Sequence, residues 1–173
     1  SSTTPNYFTK LDSAGNLVWQ KSIIGDFYSP NICTDSIGNS FVTGVFQVNT
    51  NSLIFNQTTI VPGGYGDLFI VKYDNAGNVI WAKSDGNGGA AAYSAPSIST
   101  DGHGNCFIAG TLYAATAMFG SVFMNNVSSG SFTDIFVLKY NAIGNLSWAK
   151  QGGVLIHDEI ASAITTDKNG NSY

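Results

Sequence analysis

The chain has 173 residues, enough to bury one sizeable core, and carries a formal net charge of -4 with only 10% charged residues. It contains no arginine, so it lacks both a basic footprint for nucleic acid and the planar donor that grips phosphate or guanine bidentately. Aromatic residues make up 13% of the chain, which with the abundant β-branched residues excludes a disordered polymer, and no apolar run approaches the ~20 residues of a membrane-spanning helix.

In chain order, residues 1–6 are a polar lead-in. Residues 7–21 (YFTKLDSAGNLVWQK) set two apolar runs around Asp12, Gly15 and Asn16. Such runs about an Asp-x-x-Gly-Asn step predict a β-hairpin, because the Asp side chain bonds nearby backbone and Gly supplies positive φ. A loop (22–29), a short strand (30–34), a turn from Asp35 to Gly38 and Asn39, and a strand (40–46) follow. A linking segment (47–66) contains a small extra hairpin around 53–55 and 58–61. The next hairpin, 67–82 (DLFIVKYDNAGNVIWA), is the most legible of all. The cycle then restarts with a Gly/Ala-rich loop (85–93), a strand (96–100), the turn holding Asp101, His103, Gly104 and Asn105, and a strand (106–112). A longer segment (113–133), in which Met118 and Phe119 match Ile54 and Phe55, leads to a third hairpin, 134–149 (DIFVLKYNAIGNLSWA). A loop (151–159), a short strand (163–166), a turn (167–171) and a strand just begun at Tyr173 complete the chain.

Lys10, Lys72 and Lys139 correspond, as do Trp19, Trp81 and Trp148; Gly38, Gly104 and Gly170 are 66 residues apart in both steps. A period of this length with four strands per unit predicts an all-β fold, a β-propeller of four-stranded antiparallel blades. Naming the strands of one blade A to D outward from the axis, residues 7–29 are a half blade (C–D), 30–95 and 96–161 are full blades, and 162–173 begin another (A–B). Strand D carries a lysine two residues after each tryptophan (Lys21, Lys83, Lys150), expected to guard an exposed outer edge.

The pattern D-x-F-V-x-K-Y-D-x-x-G-N-x-x-W-A-K, read from 67–83 and 134–150, joins I-x-T-D-x-x-G-N, read from Ile32, Ile98 and Ile164 onward. Together they resemble the SBBP family of bacterial β-propeller repeats over nearly all the chain outside the two inserts. The resemblance implies a secreted or cell-surface bacterial protein, often very long, with propellers as scaffold or recognition modules and no shared catalytic residues. Asn141 departs from the turn-opening Asp, and Ala92 stands where Asp26 and Asp158 stand in the other units. The strands sum to three blades where closed propellers need about four to eight. A segment of a longer array is therefore expected, the alternative being two copies in a six-bladed ring; neither is a self-contained monomer.

Six of the seven lysines and most acids fall at repeat-equivalent positions, which assigns them to structure, because a catalytic site is needed once. No catalytic residue, metal site or cofactor is expected. His157, Asp158 and Glu159 are consecutive and cannot all face one ion from an extended segment; each Asp-x-x-Gly-Asn turn offers one carboxylate where calcium wants about six to eight oxygens. The Trp series reads as blade packing rather than a sugar platform, and Cys33 and Cys106 as free thiols. Tight turns fall on one face and length variation on the other, which makes the variable face the candidate binding surface, with Tyr28, Asp85, Tyr93, His157 and Glu159 as its candidate residues. The expected partner is a protein or a cell-surface glycan, or neighbouring repeats of a parent chain or a second copy. A non-catalytic extracellular scaffold or adhesion module is the leading function; a glycan-binding propeller is the alternative, and an enzyme domain the third.

Overall fold

A computed structural model of the chain describes residues 5–47, 50–64, 66–86, 96–128 and 131–173. It is all-β, without a helix among the described residues. The strands are β1 (Asn6–Leu11), β2 (Leu17–Ile24), β3 (Phe27–Thr34), β4 (Ser40–Phe46), β5 (Leu53–Phe55), β6 (Thr58–Ile60) and β7 (Leu68–Tyr73). They continue with β8 (Val79–Asp85), β9 (Ser97–Thr100), β10 (Cys106–Leu112), β11 (Thr116–Phe119), β12 (Val122–Asn125), β13 (Asp134–Tyr140) and β14 (Leu146–Gly152).

Two sheets have the blade order A-B-C-D, β3-β4-β7-β8 and β9-β10-β13-β14, with every neighbouring pair antiparallel. Of their four middle strands, β4, β7 and β10 are buried at every position and β13 at alternate ones, which is why the first three are apolar on both faces. A third four-stranded sheet, β1-β2-β5-β6, is assembled differently. Its β1–β2 hairpin is the sequence half blade, but the outer pair β5–β6 comes from the insert of the following unit, with Ile23 opposite Phe55 and Ile24 opposite Ile54. The matching insert of the next unit, β11–β12, forms its own two-stranded sheet. It is tied to the preceding blade where the Gly120 N–H donates to Asp85 Oδ1 at 2.9 Å.

The repeated turns share one hydrogen-bond design. In the first, Asp12 Oδ1 accepts from the N–H of Ala14 (2.9 Å) and of Asn16 (2.8 Å), while the Asn16 amide donates to Asp12 Oδ2 (3.0 Å). Asp35 with Asn39, Asp101 with Asn105 and Asp167 with Asn171 repeat this arrangement. Asp74 likewise takes the Asn78 backbone and amide. Both carboxylate oxygens are therefore engaged within each turn. Asn141 keeps only the backbone half, accepting from Ile143 and Asn145.

Adjacent blades join through tryptophan. The Trp19 indole N–H donates to Asn75 O (3.0 Å), and the Trp81 indole N–H donates to Ala142 O (3.1 Å), so each ring is held by the C–D turn of the next blade. The turn glycines sit under those rings: a Cβ on Gly77 would lie 2.9 Å from Trp19 Cδ2, and one on Gly144 would lie 2.9 Å from Trp81 Cδ2. Positive φ (79° and 82°) and the ring thus each require glycine. Strand-C lysines add to the joint, Lys72 donating to Ala142 O (3.2 Å) and to Gly104 O (3.4 Å). Among the strand-D lysines, Lys83 departs from the edge-guarding role expected of it, while Lys150 is exposed. Lys83 lies 5.2 Å over the Tyr140 ring and donates to Gly144 O, so its charge points into the next blade instead of outward. A buried carbonyl that would otherwise lack a donor explains the difference.

Trp81→Ala removes ring packing and one of the two donors to Ala142 O, so urea unfolding should show a loss of about 3 kcal/mol. Hydrogen bonds from Asn16 hold Asp12 below the usual carboxylate range, and those from Asn78 do the same for Asp74. A lowered folded-state pKa contributes stability that is present above about pH 4 and lost as pH falls through the folded value. Asp74→Asn, which copies Asn141, should therefore flatten the dependence of the unfolding midpoint on pH between about 4 and 2. An unchanged acid limb would remove the turn carboxylates from the account of acid sensitivity.

Candidate interaction surface

The A–B and C–D turns lie at one end of the blades and the B–C and D–A connections at the other. The second end is shaped by two buried acids that precede strand C. Asp67, 1% exposed, accepts at Oδ2 from the N–H of Gly63 (2.6 Å) and Gly64 (3.0 Å). Burial pushes its carboxyl up from the usual value against those bonds. Asp134 accepts from the Val127 N–H (3.0 Å) and the Gln151 amide (2.5 Å). Each acid folds its own B–C segment back onto the blade. Asn126, fully buried, does similar work by donating to Leu112 O and Phe132 O.

The five candidate residues have separate places. Tyr28 stands in β3 opposite Val45, half-buried against the main core. Asp85 ends β8 and is engaged in a blade joint: Tyr140 donates its hydroxyl to Oδ2 at 2.7 Å, and the Gly86 and Gly120 N–H groups donate to Oδ1. Tyr93 lies outside the described residues, as does Ala92. His157 is exposed. Glu159 is latched to the start of β13, its N–H donating to Thr133 O (3.0 Å) and its own carbonyl accepting from the Thr133 hydroxyl (2.9 Å). Asp158 completes that latch by accepting the Thr133 N–H at 2.9 Å. The 157–159 acids thus anchor a loop and do not converge with Asp85.

The latch presents something the candidate list omitted. Between Gly153 and His157 the loop exposes Val154, Leu155 and Ile156 (50%, 68% and 68%), with Ile160 beyond the latch at 62%. Three consecutive apolar residues held out from a pinned loop are a knob, and on the same end Val61 and Val127 are also exposed. The signal was present in the sequence as an apolar triplet inside the 151–159 connection. Chemically the surface offers apolar contact area. Among the described residues no group of three or more His, Cys, Asp or Glu side chains could hold a metal ion. The described cysteines, Cys33 and Cys106, are free thiols; burial pushes the Cys106 thiol up to about 12, far from a reactive thiolate. Trp19 and Trp81 have their indole N–H groups engaged at blade joints, which explains their fixed place better than sugar stacking.

No protein-family model matches the chain. It is 33% identical over 110 residues to Regulatory protein FlaEY of Caulobacter vibrioides, covering 64% of this chain and 11% of that protein. It is 28% identical over 162 residues to Uncharacterized WD repeat-containing protein L264 of Acanthamoeba polyphaga mimivirus, covering 85% of this chain and 12% of that protein. The chain thus spans about a tenth of the length of the curated relatives it matches.

The Asp85–Tyr140 bond has a counterpart with the acid missing. The hydroxyl of Tyr73, the repeat equivalent of Tyr140, is buried without a partner among the described residues, and Ile23 stands at the position of Asp85. Tyr73→Phe should be neutral or stabilising by up to about 1 kcal/mol, whereas Tyr140→Phe should cost about 1–2 kcal/mol by stranding Asp85. Parallel denaturant curves for the two variants check the contrast, and equal effects would contradict it.

Proposed function

We propose that the chain is a non-catalytic β-propeller module of a larger secreted bacterial protein of the SBBP type, serving as scaffold and protein-interaction surface. The observation that carries this reading is the knob of Val154, Leu155 and Ile156, pinned by the bonds of Asp158 and Glu159 to Thr133. An apolar protrusion on a rigid frame suits a protein partner, because its burial requires no ordering of the loop on binding. At about 25 cal/mol per Å2 of apolar area, anchors of this size dominate a contact energetically.

The name of the mimiviral relative, a WD repeat protein, supports a blade-built interaction module. The low charge, the Asn-, Ser-, Thr- and Gly-rich surface and the repeat pattern support the extracellular reading. The engagement of most acids in turns and loop anchors supports a non-catalytic role.

The test is affinity capture of surface and secreted proteins of the source cell with the wild-type chain and with Leu155→Asp/Ile156→Asp. A partner held by the wild type and released by the double variant, with unchanged thermal unfolding of the variant, is the expected result. A partner retained equally by both would move the site elsewhere. Selective binding to a glycan array that survives the double variant would replace the protein-interaction reading with a lectin one.

A further inference from the structure

The chain has two cysteines, and both stand where other copies of the repeat carry a hydroxyl residue. Cys33, in strand A of the first full blade, matches Ser99 and Thr165 in the units that follow. Cys106, in strand B of the second full blade, matches Ser40 and Ser172. The two exchanges occupy different repeat positions, yet they come together across one joint. β3 lies against β9 where the two full blades meet, and β9 pairs with β10 so that Thr100 is opposite Cys106. The Thr100 side chain hydrogen-bonds the Cys33 thiol, and its hydroxyl donates to Thr34 O at 3.1 Å. Cys33 also packs against the core cluster that contains Cys106. One threonine therefore bonds the first thiol and stands beside the second in the ladder.

The pairing of the two exchanges is informative. A cysteine from strand A of one blade and a cysteine from strand B of the next share this joint, while the corresponding places one unit on hold Ser99 and Ser172. It is the same joint whose outer half is clamped by the Trp81 indole on Ala142 O. The thiols lie in its inner half, on the side of strands A and B. Burial pushes the Cys33 thiol up, and the neighbouring Cys106 pushes it further, so the two groups feel each other. Cys106 is wholly buried, whereas Cys33 is only half-buried, which leaves Cys33 as the sulfur that solvent species reach first.

We infer that Cys33 and Cys106 form an inter-blade disulfide, a covalent staple that closes when the chain meets a disulfide oxidant such as oxidised glutathione. The Cys33 thiolate attacks one sulfur of the oxidant, the oxidant's S–S bond breaks, and one thiol leaves. The Cys106 thiolate then attacks the Cys33 sulfur of the mixed disulfide and expels the second thiol. The two cysteines give up two protons and two electrons, and the oxidant takes them up as two thiols. Burial slows the first step in the folded chain, because little thiolate is present, and the same burial then shields the finished bond from reductants. In a reducing compartment the pair stays open; in an oxidising one it closes. This goes beyond the scaffold reading and makes no use of the 154–156 knob. L155D/I156D can lose a partner with the staple intact, and the staple can fail with partner binding intact.

Refolding the 173-residue chain in a glutathione redox buffer, with the dithiothreitol-treated chain as reference, is the test; the chain has no third cysteine to confuse it. The expected product has an intact mass about 2 Da below that of the reduced chain, with a linked Cys33–Cys106 peptide in a non-reducing digest. The bond closes a loop of roughly 70 residues, so the oxidised chain should unfold at least about 5 °C above the reduced one. Cys33→Ser and Cys106→Ser each restore the hydroxyl found at equivalent positions, and each should fold and unfold at one temperature in either buffer. Two free thiols after oxidation, a glutathione adduct as the end product, or a bond between copies overturns the inference. An oxidised chain no more stable than the reduced one overturns it too.

Discussion

The fold depends on the seating of an indole N–H on a turn carbonyl over a glycine. At each joint the tryptophan of one blade donates to the C–D turn of the next, and the absence of a Cβ on Gly77 or Gly144 is what lets the ring come that close. The turn is rigid enough to serve as a stop because its opening residue caps it: Asp74 holds the backbone N–H and side chain of Asn78, and Asn141 holds the N–H groups of Ile143 and Asn145. Lys72 from strand C shares the Ala142 carbonyl with the ring and reaches Gly104 O, and Lys83 from strand D takes Gly144 O. The turn, the ring and the cation therefore form one joint, and their sequence spacing repeats because the joint repeats. The apolar faces of β4, β7 and β10 can be dry only while those joints keep the sheets face to face.

Much of this was legible in the sequence. The hairpins, their Asp-x-x-Gly-Asn turns and the four-stranded units follow from local chemistry: a period of two, a residue that tolerates positive φ, and a side chain that caps its own turn. What local pattern could not reveal is partnership across blades. The insert at 53–60 reads as a hairpin, but nothing in its residues says that Ile54 and Phe55 will pair with Ile24 and Ile23 of an earlier unit. The strand-D lysines read as edge guards because period-two logic places them outward, and the carbonyl of Gly144 that captures Lys83 is 61 residues distant. The site was less legible still. Polar and aromatic residues drew the expectation, whereas Asp85 and Glu159 are engaged in holding a joint and a loop, and the protruding feature is apolar.

Function on such a frame follows from a division of labour between the two ends of the blades. The turn end is stereotyped because every turn must also be a neighbour's stop, which leaves its residues little freedom. The opposite end is released from that duty and carries the segments that differ in length. There Asp67 and Asp134 pull their own segments down, while the latch on Thr133 pushes three apolar side chains out. A recognition surface can thus change sequence without disturbing the joints that keep the blades together.

The insert hairpin β5–β6 alters the order of events in the folding chain. Because the outer half of the first sheet is supplied by residues 53–60, that sheet cannot be completed until the following unit has been synthesised past its second strand. Sequence repeats and folded units are therefore out of phase, like bricks laid in running bond. In a polypeptide emerging from one end, the first sheet waits for part of the second unit and stays incomplete until residues 53–60 arrive. A tensile load along the chain would meet the same overlap, since peeling one unit away requires breaking strand pairs that belong to the unit before it. Staggered borders of this kind turn a row of small, separately marginal sheets into a single cooperative body.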